Sequence, residues 1–238
     1  MKKAILFLTA VLILCAAAHA AVEMPGSSYL KGLTWKGHDT FRLEREGVVL
    51  YVDPWRIEGE PKDGDIILIT HPHFDHCEPK DIFKVLKPGA VIVTVEEAAQ
   101  KLKEGGVEAA IQILKPGENL EIGAVMVEAV PAYNINKEFH PQTSQWVGFI
   151  VAVDEVRIYH AGDTDFIPEM KDLRVDVALL PVSGTYVMTA DEAAEAAKAI
   201  RPKVAVPMHY GTLVGTEADA RRFQELCSEM IVEVLKKE

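Results

Sequence analysis

The chain has 238 residues, of which 49% are hydrophobic and 26% are charged, and these values are typical of a globular protein rather than a disordered one. Its 36 acidic side chains outnumber its 25 lysine and arginine side chains, which gives a formal net charge of −11. Such an acidic chain lacks the basic surface that nucleic-acid binding and attachment to anionic membranes require, so both functions are disfavoured.

The first twenty residues form a separate segment. Lys2 and Lys3 give a positive start, residues 4–18 are almost wholly apolar, and Ala18-His19-Ala20 offers small residues at the two positions that a signal peptidase reads. The pattern predicts a signal peptide over residues 1–20 and one exported domain, periplasmic or secreted, over residues 21–238. An uncleaved membrane anchor and a lipoprotein are the alternatives. We expect no membrane contact in the mature form.

Short apolar runs predict strands along most of the remaining chain. These strands are Leu33–Arg45, Val48–Asp53, Ile66–Thr70, Ala90–Val95, Ile111–Leu114, Leu120–Val130, Val147–Val153, Val156–His160, Asp176–Val182, Lys203–Pro207 and Ile231–Leu235. Helices are predicted over Pro79–Leu86, Glu96–Glu104 and Glu217–Met230, and a further alanine-rich helix should begin at the capping box Thr189-Ala190-Asp191-Glu192 and end at Ile200. Two packed sheets with outer helices would accommodate this order.

The run His71-Pro72-His73-Phe74-Asp75-His76 follows a predicted buried strand and gathers three imidazoles and a carboxylate in six residues. Side chains at this spacing can be directed around one point. Imidazole nitrogen and carboxylate oxygen are ligands of zinc and similar cations. The run therefore predicts a metal site, and a histidine-rich surface loop is the minor alternative.

Two further ligand-type residues follow predicted strands directly. Asp163 lies in the segment after Val156–His160, and His209 lies after Lys203–Pro207. Strand ends are where ligands and catalytic groups tend to gather. Each residue alone could be a turn cap or a core histidine, but together with the histidine run they predict a second metal position.

These motifs resemble those of the metallo-β-lactamase superfamily. The histidine run matches its HxHxDH signature, and Gly162-Asp163-Thr164 and Pro207-Met208-His209-Tyr210 resemble its downstream motifs in the same order. Trp35-Lys36-Gly37-His38 and Tyr51-Val52-Asp53-Pro54-Trp55 resemble the branch of UlaG-like metal-dependent hydrolases. The resemblance implies an α/β (α+β) fold, a four-layer αββα sandwich of two mixed β-sheets flanked by helices. It also implies a binuclear metal site at one edge of the sheets.

The resemblance also implies a set of metal ligands. The first metal would be held by His71 and His73, the second by Asp75, His76 and His209, and Asp163 would bridge the two. The family normally takes a third histidine for the first metal from a loop that precedes the bridging aspartate. Here Tyr133 or Asn134 occupies that place, and His140 is the only histidine nearby. His140 could be the third ligand, contact the substrate, or face solvent.

The candidate catalytic residues around the metals are Asp75, His38 and His160. Asp75 can accept a hydrogen bond from the attacking water and direct it. His38, in a turn after Trp35, is expected near the mouth of the site, and His160 is expected to orient a ligand by a hydrogen bond, although either could be a core or loop histidine. Asp53 is likewise expected to orient a ligand histidine.

The predicted function is that of a hydrolase that uses water activated by two divalent metal ions on a small-molecule substrate, namely an ester, lactone, amide or phosphodiester. Zinc is the first candidate, with Mn²⁺ and Fe²⁺ as alternatives. An exported metal-binding protein without turnover is the second hypothesis. A di-iron redox site is disfavoured, because that version of the fold usually carries a carboxylate at the place of His73.

Overall fold

The computed structural model describes residues 26–238. The signal peptide predicted over residues 1–20 lies outside the described residues. Within residues 26–238, no helix has both the length and the apolar character needed to cross a bilayer.

Within the described residues, the first sheet has six strands, in the order of the sequence. They are β1 (Leu33–Gly37), β2 (Thr40–Arg45), β3 (Val48–Val52), β4 (Gly64–Leu68), β5 (Leu86–Thr94) and β6 (Ala110–Ile113). Strands β1 to β3 form an antiparallel meander, whereas β3 to β6 run parallel. The carboxyl ends of β3 and β4 are therefore side by side.

In the part of the chain that the structure describes, the second sheet has seven strands, and its order runs from β13 back to β7. They are β7 (Asn119–Ile122), β8 (Val125–Pro131), β9 (Val147–Val153), β10 (Val156–His160), β11 (Val177–Pro181), β12 (Val204–Met208) and β13 (Ile231–Val232). Neighbours from β7 to β10 are antiparallel, and those from β10 to β13 are parallel. The carboxyl ends of β10, β11 and β12 therefore share one edge.

Helices flank the two sheets. They are α1 (Pro79–Val85), α2 (Glu96–Glu104), α3 (Ala190–Ile200) and α4 (Glu217–Leu226), with 3-10 turns at Gln142–Ser144 and Pro168–Asp172. Apolar side chains of both sheets form one buried core, in which Phe41 and Leu50 of the first sheet line the same small internal gap as Val151 and Ile158 of the second. The predicted fold class, two mixed sheets with flanking helices, is confirmed.

Several element bounds agree with the prediction and others were wrong. Helix Glu96–Glu104, strands Val147–Val153 and Val156–His160, and the capping box at Thr189 agree with the structure. The run Leu33–Arg45 is two strands, because the chain reverses at Gly37 and His38, which have φ values of 105° and 53°. Apolar residues alternate on both sides of the turn, at Leu33 and Trp35 and again at Phe41 and Leu43, so the alternation alone predicts one strand.

Three more predicted bounds, near hairpins and helix ends, were wrong. The run Leu120–Val130 is also two strands, joined by a tight turn in which Gly123 has φ 60°. The helix predicted over Glu217–Met230 ends at Leu226, and the last strand is only Ile231–Val232. The chain turns at Cys227 to bring that strand beside β12, a tertiary constraint that overrides helix propensity.

Candidate metal centre

The candidate metal centre lies where several strands of both sheets end. The histidine run follows β4 of the first sheet, and Asp163 and His209 follow β10 and β12 of the second. The turn between β1 and β2 lies at the same place. The start of β2 pairs with the end of β3, which is beside the end of β4. The strand ends thus bring residues from distant parts of the chain into one place.

The first group of ligand-type side chains comprises His71, His73, His140 and Asp163. The Nδ1 atom of His73 lies 3.0 Å from Nε2 of His71 and 3.2 Å from Nε2 of His140. Oδ2 of Asp163 lies 3.2 Å from Nε2 of His140 and 4.0 Å from Nε2 of His71. His140, reached from a loop, therefore points into the group rather than toward solvent, and its side chain is buried.

The second group comprises His38, Asp39, His76 and His209, and all four side chains are buried. Oδ2 of Asp39 lies 3.5 Å from Nε2 of His76 and 3.7 Å from Nε2 of His209. Among the described residues, neither carboxylate oxygen of Asp39 has a hydrogen-bond partner. The Nε2 atoms of His76 and His209 likewise have none among these residues. Buried polar atoms without partners are expensive unless something else satisfies them, so this group fits a bound cation.

Asp163 lies between the two groups. Besides its contact with His140, its Oδ2 lies 3.3 Å from Nε2 of His209, and its Oδ1 lies 3.4 Å from Nε2 of His76. Burial raises the pKa of Asp163, but the imidazoles of His209 and His76 lower it by more. The pKa of Asp163 is therefore well below its usual value. The carboxylate is therefore ionised and is shared by both groups.

The distances around the second group also fit a metal ion. Four nitrogen and oxygen ligands placed tetrahedrally at about 2.0–2.1 Å from a zinc ion are about 3.3 Å apart. The contacts among Asp39, His76, His209 and Asp163 range from 3.3 to 3.7 Å. Nitrogen and oxygen donors suit zinc, manganese and iron alike.

Asp53 fixes the orientation of two of the histidine rings. It accepts hydrogen bonds from the Thr70 amide at 2.8 Å, from the Thr70 hydroxyl at 2.6 Å and from Nδ1 of His76 at 2.7 Å. Because the Thr70 hydroxyl donates to Asp53, its oxygen can accept from Nδ1 of His71, 2.9 Å away. The Nε2 atom of each ring therefore faces the centre. Burial lowers the pKa of His76, but the carboxylates of Asp163 and Asp53 raise it by more, to well above the usual value, so His76 must lose a proton before its Nε2 binds metal.

Two residues of the centre were missed by sequence reasoning. Asp39 falls within a run predicted as one continuous strand, although Gly37 followed by two polar residues is a signal for a turn. Ser183, at the end of β11, carries no predicted role, but its Oγ lies 2.8 Å from Nδ1 of His209 and holds that ring in place. Its position after a third parallel strand could have indicated this role.

His38 and Asp75 contact each other beside the second group. Nε2 of His38 donates to Oδ2 of Asp75 at 3.1 Å, and the same oxygen lies 3.9 Å from Nε2 of His76. Burial raises the pKa of Asp75, but the hydrogen bond from His38 and the charge of His76 outweigh it and lower the pKa to about 2. Asp75 is thus an ionised carboxylate at the edge of the centre.

His160 belongs to neither group. Its buried ring donates from Nε2 to the backbone carbonyl of Asp39 at 2.8 Å and accepts at Nδ1 from the amide of Gly162 at 3.2 Å. It connects the two loops that carry Asp39 and Asp163. This arrangement makes His160 a positioning residue and does not support a catalytic role for it.

A cavity of about 360 Å³ opens above the centre. Its floor is formed by His73, Asp75, His140 and Asp163, so the first ligand group and Asp75 border a space that a small molecule can enter. Its sides are formed by Phe74, Phe139, Tyr186, Leu213 and Val214. Convergent polar groups below an apolar cavity are typical of a small-molecule site.

The chain is similar to known proteins in sequence and in fold. Residues 32–209 match the family model described as a β-lactamase superfamily domain. The chain is 38% identical to a UPF0173 metal-dependent hydrolase of Thermoplasma acidophilum over 82% of this chain and 89% of the relative, and 33% identical to one of Methanopyrus kandleri over 85% and 94%. The solved structure of a metallo hydrolase from Ignicoccus hospitalis is similar with a TM-score of 0.71 at 28% identity, covering 86% of this chain and 94% of that one.

Proposed function

Because the chain belongs to the β-lactamase superfamily domain family, we propose that it is a metal-dependent hydrolase in which the two ligand groups hold a pair of divalent cations. The reaction is the hydrolysis of a small ester, lactone, amide or phosphodiester. The observation that carries the proposal is the position of Asp163, whose carboxylate contacts His140 of one group and His76 and His209 of the other.

The first cation would be held by His71, His73, His140 and Asp163, and the second by residues around His76 and His209. Zinc is the first candidate, because imidazole and carboxylate ligands at tetrahedral spacing suit it. When bound, such cations would supply Lewis acidity and would lower the pKa of a shared water from about 16 toward neutrality.

Side chains of the protein would direct the attacking water. Asp75 is ionised at neutral pH and faces the cavity, so it can accept a hydrogen bond from the attacking water and direct it. His38 holds the Asp75 carboxylate in position from the buried side. The apolar walls exclude bulk water, which strengthens electrostatic interactions on the floor of the cavity.

Metal removal tests the proposal. The purified protein, its metal-stripped form, and that form reloaded with Zn²⁺ or Mn²⁺ would be assayed with p-nitrophenyl acetate, a γ-lactone, an anilide and bis(p-nitrophenyl) phosphate. We expect hydrolysis of at least one substrate, its loss on stripping, and its recovery on reloading. The exposed variant Asp172→Asn is the control for handling. Activity that survives complete metal removal would contradict the mechanism.

A metal-binding protein without turnover is less well supported. A purely structural metal site is closed, with every coordination position taken by the protein. Here His73, Asp75, His140 and Asp163 line a cavity open to solvent. Elemental analysis that finds two tightly held equivalents and no activity on the same set of substrates would favour this second function.

We also propose that the protein is exported, with residues 1–20 removed as a signal peptide. The support is the sequence pattern of a positive start, an apolar stretch and Ala18-His19-Ala20. Intact-mass measurement of protein from the exporting cell should give a chain that begins at Ala21. A chain that retains residue 1, or carries a lipid on Cys15, would contradict cleavage at this position.

A further inference from the structure

Asp39 carries a fully buried carboxylate. Its side chain is 0% exposed, and within residues 26–238 neither of its oxygens accepts a hydrogen bond. An ionised carboxylate in such a place is costly unless it is paired or coordinates a metal. The family resemblance assigns no role to this position.

The backbone around Asp39 is held so that its carboxylate faces the second ligand group. The carbonyl of His38 accepts from Nε1 of Trp35 at 2.9 Å and from the amide of His209 at 3.1 Å. The carbonyl of Asp39 accepts from His160 at 2.8 Å. Three donors from separate elements thus fix the turn, and a displaced Asp39 would break contacts on both sheets.

Asp39 is closer to the histidines of the second group than Asp75 is. Its Oδ2 is 3.5 Å from Nε2 of His76, whereas the nearest oxygen of Asp75 is 3.9 Å from the same atom and already accepts from His38. Oδ2 of Asp39 also reaches Nε2 of His209 at 3.7 Å. Asp163 contacts the same two Nε2 atoms, through Oδ1 at 3.4 Å from His76 and through Oδ2 at 3.3 Å from His209. These contacts are close to the spacing of about 3.3 Å between tetrahedral ligands of one ion.

We propose that Asp39, together with His76, His209 and Asp163, holds the second cation, an inference that rests on the proposed function. Asp75, which the resemblance implies as that ligand, is then available at the cavity floor to act on the attacking water. The buried carboxylate of Asp39 then binds the metal, and the partly exposed carboxylate of Asp75 faces the substrate.

Metal content tests this assignment without any turnover measurement. Wild type, Asp39→Asn, Asp75→Asn and the exposed control Asp172→Asn would be loaded with Zn²⁺, dialysed, and analysed for zinc by elemental analysis and titration calorimetry. We expect two equivalents in wild type and Asp172→Asn, and two in Asp75→Asn. We expect one in Asp39→Asn, with affinity for the second equivalent lower by about 100-fold or more.

Each other outcome has a distinct meaning. Two equivalents of unchanged affinity in Asp39→Asn would overturn the assignment while leaving the proposed function intact, and no zinc in wild type would overturn the proposed function itself. Should Asp39→Asn fail to fold, a crystal structure of the zinc-loaded wild type decides. An Asp39 oxygen at about 2.0–2.2 Å from the second ion is expected, and a distance beyond about 3 Å would overturn the assignment.

A second inference concerns the walls of the same cavity. Six large hydrophobic side chains of the described residues are exposed, and four of them line this one cavity. We call these four the apolar mouth; they are Phe74 (56% exposed), Phe139 (48%), Leu213 (46%) and Tyr186 (37%). Such clustering of exposed apolar surface marks a binding site more often than chance exposure does.

The apolar mouth is preformed and uncharged. The rings of Phe139 and Tyr186 meet edge to face with centroids 4.7 Å apart, and Phe74 packs edge-on against Trp55 at 6.0 Å. Among the described residues, no lysine or arginine lines the cavity. The nearby Lys137 is engaged in an ion pair with Asp165. An anionic group on a substrate would therefore find no cationic side chain at the mouth.

The geometry points to a substrate that carries an uncharged alkyl or aryl group beside its scissile bond. This inference deepens the proposed function, on which it rests, and favours an ester, amide or lactone with an apolar substituent over a phosphodiester. The polar floor of the cavity would bind the scissile carbonyl of the substrate, and Phe139 and Leu213 would pack against its apolar group.

Binding of hydroxamates separates this inference from turnover, because a hydroxamate binds metal ions and is not a substrate. Acetohydroxamate and octanohydroxamate would be titrated into the zinc-loaded protein by calorimetry. We expect the octanoyl compound to bind at least about tenfold more tightly, since its chain is removed from water at the mouth. The double variant Phe139→Ser, Leu213→Ser should lose most of this difference, and the exposed Phe83→Ser, outside the cavity, should keep it.

Equal affinities for the two hydroxamates, or binding of neither, would overturn the inference. Hydrolysis of the ester panel is measured separately on the same preparation. A strong chain-length preference without any hydrolysis would thus leave the mouth assignment standing and count against the proposed function. Hydrolysis without a chain-length preference would support the proposed function and overturn the assignment of the apolar mouth.

Discussion

Nε2 of His38 lies 3.1 Å from Oδ2 of Asp75, although the two residues are 37 positions apart and lie on different loops. His38 comes from the turn between β1 and β2, and Asp75 from the loop after β4. The contact joins a residue that was expected near the mouth to one that was expected to direct the water. It makes Asp75 depend on the β1–β2 turn for its orientation.

The variant His38→Ala should therefore lower kcat more than it changes KM. Without the imidazole, Asp75 loses the donor that fixes one of its oxygens, and we expect a loss in kcat of about 10–100-fold. Steady-state kinetics on the best substrate, with zinc content measured in parallel, checks this expectation. Unchanged kcat, or loss of a zinc equivalent, would show that His38 does not act through Asp75.

The variant Asp53→Asn should weaken metal binding from a distance. Its side-chain amide has one accepting oxygen, which cannot satisfy the Thr70 amide, the Thr70 hydroxyl and Nδ1 of His76 together as the two oxygens of the carboxylate do. We expect metal affinity to fall by about 10–100-fold and stability by about 1–3 kcal/mol. Calorimetric titration and denaturant unfolding measure the two effects. The matched variant Asp63→Asn, whose carboxylate pairs with Arg42 at the surface, should leave metal affinity unchanged.

The parts of the fold and centre that depend on local pattern were predictable from the sequence. Asp163 and His209 were recognisable because each follows a strand directly, and the fold places those strand ends on one edge. Asp39 was not recognisable, because its role depends on a turn that interrupts an apolar alternation. The direction of His140 could not be predicted either, since a loop of irregular backbone brings it to the centre, where His140 itself has φ 55°.

Metal removal should lower thermal stability as well as activity. Without cations, both carboxylate oxygens of Asp39, Oδ1 of Asp163 and the Nε2 atoms of His76 and His209 are buried and have no hydrogen-bond partner among the described residues. A cation at about 100 times its dissociation constant adds about 2.7 kcal/mol per site. For a domain of this size, that corresponds to a rise in Tm of about 5–10 °C per site. Scanning calorimetry with and without Zn²⁺ measures it, and identical Tm values would contradict cation binding in these groups.

Zinc binding at neutral pH should release protons. Burial lowers the pKa of His209, but the carboxylates of Asp163 and Asp39 raise it by more, to about 9, so the metal-free imidazole is protonated at neutral pH. Burial instead lowers the pKa of His73 to about 4, so that ring is already neutral. Since metal must displace the His209 proton, zinc affinity should rise as pH increases from about 7 toward about 9.

Calorimetric titration in buffers of different ionisation enthalpy counts those protons. We expect net release at a pH of about 7.5, and less release from His209→Gln, which has no such proton. A conservative control is Lys198→Gln, an exposed change far from the centre on helix α3. Heats that do not depend on the buffer would mean that both His209 and His76, whose pKa is also raised by neighbouring carboxylates, are already neutral before metal binds.

Cys77 follows His76 directly and should nevertheless be unreactive in the folded protein. Its side chain is 0% exposed, and burial raises the pKa of the thiol to about 12, so almost no thiolate forms at a pH of about 8. Within residues 26–238, Cys227 is also buried and free. We expect no rapid reaction of either thiol with a disulfide reagent at that pH, and full reaction in guanidinium. If one thiol of wild type reacts quickly, and Cys77→Ser abolishes that reaction, the loop that carries the histidine run opens in solution, and the metal ligands on it cannot be as fixed as their hydrogen bonds indicate.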